Sequence, residues 1–516
     1  MFNRRKKIKK TKPVGKKTET PLPEGGKPSF SDDLDENIKM IGKLFENDDC
    51  LIVREFTVPD ADGLRCAAVF IESMANDLLV SEFLMKGIGS VHGKKVTRTD
   101  DPLGSLFDLR LRGSDIRIES DPEKIVTAIL SGSAALFCDG SSAAALADTK
   151  GYESRSIEEP ENEKLLRGPR EGFTEKLTTD ISLIRRRILT TDLKVKFLSL
   201  GRRTNTKIAL CYLENLVKPE ILSALCERLK KIDMDGILDS NYLEEHISDR
   251  PVSPFKTVGS TERPDTAAAR ILEGRIAVIV NGSPAVLTVP FVFVENFQSG
   301  DDYYSGFFFA NVGRMLRYAA FFLTVSVPAV YVALLTFHRQ MMPTNFALSI
   351  AGSRAGVPFP VFVECAGLLL VFEILRETSV RMPTAVGQSL SVVGAIVIGE
   401  SAVNAKIVSA PTVIVVGITA LAGLMIPRLK AAMIIYRAFL LLCAAFIGLY
   451  GYIFGCCLIV LRLLETKSFG VDYLSYLISL EPQQMKDTVV RVPWTRMIQR
   501  PKGIAADLFR QKTNEK

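Results

Sequence analysis

The chain changes solvent part-way along its length. Up to Arg317 it mixes apolar and charged residues as a water-soluble protein does; from Tyr318 to Leu461 it becomes a series of long apolar runs joined by short charged connectors. A soluble core has no need of charge-free runs of this length, whereas a hydrocarbon slab about 30 Å thick demands roughly 20 residues per crossing helix. The charge-free runs are 318–337, 407–427 and 438–461, with 382–399 almost as clean, and 355–372 is apolar apart from Glu364 but carries Pro358 and Pro360. The expected fold is therefore a large soluble domain joined to an all-α, polytopic membrane domain. One run is expected not to cross fully, because an odd number of crossings would put the two basic ends of the chain on opposite sides.

Those ends hold much of the positive charge. Residues 4–17 carry nine Lys/Arg and no acid, and residues 486–516 carry eight against three acids, in a 516-residue chain of net charge +7. Nucleic-acid binding is one reading of such ends. Beside a membrane bundle, the positive-inside tendency and anionic lipid head groups explain them better, so no nucleic acid is expected. The nine cysteines contain no CxxC pair and the three histidines are far apart, which argues against a zinc site or a disulfide framework; no metal or cofactor is expected. The basic start runs into a Pro/Gly/Lys-rich stretch and not an apolar signal region, so the soluble part is expected in the cytosol.

The soluble part reads as a duplication. Period-2 strands at 51–58 and 65–72, helices near 74–86 and 122–131, and "AALFCDG" (134–140) are followed later by "VKFLSL" (195–200), "TKIALCYLE" (206–214), helices after Pro219 and at 265–273, and "RIAVIVNG" (275–282). "AAVFIE" (67–72) aligns with "ALCYLE" (209–214), and "ILSGSAALFCDG" (129–140) with "ILEGRIAVIVNG" (271–282), both at an offset of 142 (209 − 67; 271 − 129). Asp139-Gly140 and Asn281-Gly282 then occupy equivalent places, and both dipeptides suit a tight hairpin turn. The soluble domain is expected to be two α/β half-domains. Between them, Arg170, Glu171 and Arg185 to Arg187 suggest a charged helix start and a basic face, or simply a solvated linker helix.

In the apolar part, polar residues are the functional candidates, because a carboxylate in hydrocarbon costs several kcal/mol unless it faces water or a partner. Gln388, Ser391, Glu400 and Asn404 are candidate pore-lining residues. Gly387, Gly394 and Ser401 form a small-residue packing face, and Gly451 and Gly455 a GxxxG spacing. The alternative for Glu400 is a place at the membrane–water boundary beside Lys406. Before the apolar part, "VENFQSGDDYY" leads out of the last strand with no flexible linker, so Glu295, Asp301, Asp302, Tyr303 and Tyr304 are expected to form a stiff inter-domain junction.

Several blocks in one order carry a family resemblance: "RGPREGFTE" (167–175), "LIRRRI" (183–188), "GRRTNTKIALCYLE" (201–214), "STERPDTAAARILEGRIAVIVNGSPAVLTVPFVFVENFQSGDDYY" (260–304), "SRAGVPFPVFVECAGLLLVFEILRE" (353–377), "VGQSLSVVGAIVIGESAVNAKIVSAP" (386–411) and "MIPRLK" (425–430). The chain resembles the GerA family of bacterial spore germination proteins, germinant receptor A subunits and their SpoVAF relatives, from about residue 34 to 480. The resemblance implies a homo-oligomeric membrane subunit of the spore inner membrane. It would work with a transporter-like B subunit and a lipoprotein C subunit and release monovalent cations on opening. The alternatives are a non-conducting membrane-anchored scaffold for germination complexes and a SpoVAF-like germination ion channel without its own germinant, and no enzyme is expected, since no acid/base pair, nucleophile constellation or phosphate loop is visible. The implied order is a disordered basic tail (1–30), half-domains at 31–150 and 171–304 (the second including the junction) around a linker (151–170), a transmembrane helical domain (305–465) and a basic cytoplasmic C-terminal tail (466–516).

Overall fold

The computed structural model describes residues 30–58, 63–88, 103, 116–151, 159–160, 163–382, 399–478 and 484–510. The chain divides into two compact units near residue 152, with Ile188–Leu193 belonging to the first.

The first half-domain runs α1 (Leu34–Leu44), β1 (Leu51–Val58), β2 (Leu64–Ile71), α2 (Asp77–Ile88), β3 (Ile116–Glu119), α3 (Pro122–Leu130), β4 (Ala134–Cys138) and β5 (Ala144–Ala147). The second runs α4 (Leu177–Arg185), β6 (Leu193–Leu200), β7 (Thr206–Leu213), α5 (Pro219–Lys230), α6 (Ser240–Ile247), β8 (Gly259–Thr261), α7 (Pro264–Ile271), β9 (Ile276–Val280) and β10 (Val286–Val289). Their sheets have one topology written twice, β1-β2-β4-β5-β3 and β6-β7-β9-β10-β8. Antiparallel register pairs Cys66 with Cys138 in one sheet and Ile208 with Val280 in the other, again 142 apart. β2 and β7 also bury the same positions, the last six of eight residues, as expected of near-continuous apolar strands covered on both faces. At the hairpins Gly140 (φ +85°) and Gly282 (φ +91°) take the left-handed conformation that favours glycine.

Helix α4 corrects one expectation. The stretch 168–188 is not a solvated linker helix: from Leu177 to Arg185 only Thr178 is exposed, and α4 is the second copy's counterpart of α1. Leu34 N donates to Asp139 Oδ1 (3.4 Å) and Leu177 N to Asn281 Oδ1 (3.3 Å), which ties each opening helix to its hairpin. All nine cysteines are free.

The C-terminal half is helical: α8 (Phe307–Thr336), α9 (Thr344–Ser353), α10 (Val361–Arg381), α11 (Ala410–Leu424), α12 (Lys430–Ile447) and α13 (Leu449–Glu465). Among the described residues, Phe307–Thr336 and Pro427–Ile447 are long and apolar enough to cross a membrane, and α11 is apolar but shorter. Large apolar side chains such as Phe308, Phe322, Ile418, Phe446 and Phe454 point outward, while Ala329, Ala333, Ala432 and Ala444 are buried between helices. Small residues inside and large apolar residues outside suit helices packed within lipid.

The run 438–461 is not a single helix. Gly448 (φ +67°) breaks it into α12 and α13, which fold back antiparallel. A Cβ at Gly451 would strike the Cys443 carbonyl oxygen, and one at Gly455 would lie 2.6 Å from Leu440 Cδ2, so both glycines sit where the two helices come closest.

The basic C-terminal segment also differs from a free tail. The hairpin at 467–472 inserts Phe469 into the second half-domain's core, and Arg228 stacks over its ring at 4.3 Å. Further on, Ile504 is fully buried and Ala506 N donates to the Leu216 carbonyl (2.8 Å). Isolated apolar residues among charges (Phe469, Ile504) were the sequence trace of this docking, too sparse to give a period.

Candidate functional site

The junction is built where β10 ends. A 3-10 turn over Phe293–Phe297 follows, and the Glu295 carboxylate accepts from Val292 N (3.0 Å), closing that turn. The same carboxylate pairs with Arg275 (2.8 Å) and Arg270 (2.9 Å), and Arg275 also pairs with Glu273 and donates to the Pro290 carbonyl (3.1 Å). Arg275 and Glu295 are both buried, so the pair locks strand to turn: removing one partner of a buried pair typically costs about 3–5 kcal/mol.

The one-turn helix Asp301–Tyr304 comes next. Asp301 Oδ1 accepts from Leu166 N (3.0 Å), while Asp302 holds Arg314 (3.1 Å) and Arg317 at the start of α8, and its carbonyl accepts from Arg491. Tyr303 Oη donates to Asp487 (2.7 Å), which also pairs with Arg314 (2.8 Å); burial pushes the Tyr303 phenol well above its usual range. Tyr304 Oη donates to Asp265 (2.6 Å), itself paired with Arg263 (3.0 Å). A Cβ on Gly168 (φ +131°) would stand 2.8 Å from the Tyr304 ring, so the glycine of "RGPREGF" gives that ring its place. The structure thus joins Asp302 and Tyr303 through Arg314 and Asp487, and reaches Glu295 through Gln298 and Arg270, while Asp301 and Tyr304 have separate partners in Leu166 and Asp265.

Aromatic rings join this network to the helices. Phe297 stacks on Tyr318 of α8 (4.1 Å, 17°) and Phe255 on Tyr436 of α12 (4.9 Å, 21°), with Phe293 edge-on to Phe255, Phe297, Phe321 and Tyr473. Arg428, in the turn between α11 and α12, pairs with Glu163 (2.5 Å) and donates to the Glu295 carbonyl (3.3 Å). Glu163 in turn accepts from Thr261 Oγ1 (2.6 Å) at the edge of the sheet.

The candidate pore-lining residues divide. Glu400 and Asn404, with Ser401, lie in the helical stretch 399–404 and are exposed; Gln388, Ser391, Gly387 and Gly394 lie outside the described residues. A different carboxylate is buried among the helices. Glu364 of α10 accepts from Arg354 (2.8 Å), from Ser409 N and Oγ (3.1 and 3.0 Å) and from Thr412 Oγ1 (3.1 Å), and Tyr331 of α8 reaches Thr412 (3.0 Å). Glu364 had interrupted an apolar run in the sequence, and that was the signal that could have found it. Arg437, which reads as part of a connector, lies within α12 and pairs with Glu373 of α10 (2.8 Å). Among the described residues no cluster of His, Cys, Asp and Glu could hold a metal ion.

Residues 39–503 match the family model for the Bacillus/Clostridium GerA spore germination protein. The chain belongs to the GerA family. It is 38% identical to spore germination protein KA of Bacillus subtilis over 482 residues, 93% of this chain and 87% of that protein. It is 37% identical to the uncharacterized membrane protein YfkQ of the same organism over 92% of this chain and 91% of that one, and 32% identical to spore germination protein GerLA of Bacillus cereus over 85% and 89%. The crystal structure of the N-terminal domain of the A subunit of the Bacillus megaterium spore germinant receptor GerK3 covers 52% of this chain and 99% of its own length, at 27% identity and a TM-score of 0.42. The region that matches the family model takes in the junction, the second half-domain and all of the first but the opening residues of α1.

Proposed function

We propose that this GerA-family chain is the A-type membrane subunit of a nutrient germinant receptor. In this reading it forms a homo-oligomeric, ligand-gated channel for monovalent cations in the spore inner membrane, with B and C subunits as partners and its soluble domain and C-terminal segment in the cytoplasm. The observation that carries the reading is the junction, where buried ion pairs and stacked rings fasten the second half-domain to α8 and α12 without a flexible linker. A packed connection of this kind, with no flexible linker, is able to carry coupling between a soluble sensor and a membrane gate. Exposed Glu400 and Asn404 add support. At hydrocarbon depth a carboxylate needs water, and a water-filled path between copies of the chain would provide it.

The test is cation flux through the purified full-length chain, alone and with its partner subunits, in liposomes. Glu400→Ala and Asn404→Ala are expected to lower conductance or alter cation preference while the oligomer persists. Unchanged flux in both variants removes those residues from the path. A monomer that conducts nothing in any combination favours the scaffold.

A further inference from the structure

We propose that the cleft between the second half-domain, the junction and the C-terminal segment 484–510 binds a small oxyanion, the phosphate or carboxylate group of an anionic metabolite or a lipid head group. The cavity, about 60 Å3, is several times the roughly 10–15 Å3 that one water needs. Six cationic residues line it (Arg270, Arg275, Lys486, Arg500, Lys502 and Arg510) against three carboxylates, an excess of three positive charges (6 − 3).

The carboxylates present are already shared. Glu273 meets Arg270 (3.6 Å), Arg275 and Arg510 (2.9 Å), and Glu295 is divided between Arg270 and Arg275. The resulting field is strong: burial alone would raise the Glu273 carboxyl, yet Arg275, Arg270 and Arg510 bring it down to about 2. An excess of positive charge along a cleft wall attracts an anionic group, and guanidinium forks match oxyanion geometry. Val292, Val294 and Met497 form an apolar wall, which suits a ligand with carbon beside its anionic group. Four of the six cations come from the C-terminal segment, so a bound anion would fasten that segment to the half-domain.

The probe is inorganic phosphate, with acetate beside it, titrated into the full-length chain in detergent at ionic strength held constant with chloride, and followed by calorimetry. Saturable binding is expected, weakened about ten-fold by Lys486→Gln with Lys502→Gln, since charge-assisted contacts carry such affinity. Neither lysine is an ion-pair partner of Glu273 or Glu295, and an unchanged unfolding midpoint without ligand confirms that the double variant is folded. Repeating the titration in nanodiscs separates the sources. Phosphate binding lost in phosphatidylglycerol discs but kept in phosphatidylcholine discs assigns the site to a head group; equal binding in both assigns it to a free anion. No saturable heat, or an unaltered affinity in the double variant, overturns the proposal. None of these readouts involves ion flux, so the outcome stands apart from that of the channel reading.

Discussion

The two half-domains share strand order, register offset and the burial of their central strands, yet they carry different chemistry at matching positions. Subtracting 142, Arg270, Glu273 and Arg275 of the second copy correspond to Ala128, Ser131 and Ser133 of the first, and Phe291 and Phe293 to Thr149 and Gly151. The backbone needs only the apolar strands and the hairpin glycines, which both copies keep. At these matching positions the second copy carries the charges and rings, and the first carries small or polar residues. Duplication thus supplied a scaffold twice, and in the proposed function the second copy is the one that couples to the helices.

Giving the second copy the first copy's residue is the severest way to break this contrast. Arg275→Ser would take one of two arginine partners from the buried Glu295 and one of three from the half-buried Glu273, a loss of about 3–5 kcal/mol. Ser133→Ala, at the matching position, should change stability by less than about 0.5 kcal/mol. Unfolding of the full-length variants in detergent measures both, and equal losses would show that the copies are not specialised.

A second asymmetry is electrostatic. In the first copy Asn37 Oδ1 accepts from Ser31 N (2.8 Å); in the second, Asp180 Oδ1 accepts from Thr174 N (2.7 Å), each pair 143 apart. Burial lifts the Asp180 carboxyl from 3.8 to about 7, against the opposing hydrogen bonds from Thr174. Because the folded pKa is the higher, the folded state retains a proton between pH 4 and 7 that the unfolded chain has released. The contribution is complete below pH 4 and is lost as pH rises through 7. Asp180→Asn should remove that slope and leave the protein roughly 2–4 kcal/mol more stable at pH 8 than the parent. Asn37→Asp should import a similar slope into the first copy. A parent whose stability is flat from pH 4 to 8 would refute the assignment.

Much of this was legible in the sequence where residues repeat or alternate. The 142-residue offset gave both sheets, and "VENFQSGDDYY" marked the segment that leads from the last strand toward α8. What escaped depended on distant partners. Glu295 shows nothing of Arg275 or Arg428 in its own neighbourhood, and α4 looked solvated because its arginines are conspicuous while its burial is not. The apolar run 438–461 hid its turn because Gly448 is one small residue among many, and composition alone cannot report a positive φ.

Loosening the second copy from the helices without disturbing its sheet should be a milder change. Arg428→Ala removes the link to Glu163 and to the Glu295 carbonyl, but leaves Glu163 bonded to Thr261 and Glu295 to Arg275. The pair is partly exposed, so about 1–3 kcal/mol is expected in detergent unfolding. Its sharper readout is coupling. If the second copy transmits through this contact, germinant-dependent flux should fall more than protein stability does, whereas the two falling in proportion would make Arg428 merely structural.

The smallest effect expected is also the strictest check that the copies are equivalent where the fold alone is concerned. Asp139 and Asn281 occupy the same hairpin position, each backbone N–H donating to the neighbouring strand (Arg65 O, 2.9 Å; Lys207 O, 3.0 Å) and each side chain accepting from the first residue of its opening helix. Both residue types suit such a turn, and the glycine that follows carries the left-handed conformation in either case. Exchanging them, Asp139→Asn with Asn281→Asp, should therefore shift stability by less than about 0.5 kcal/mol. A loss of 2 kcal/mol or more would mean that the turn residue serves something beyond its own hairpin, and the difference between the copies would then extend into the scaffold that they share.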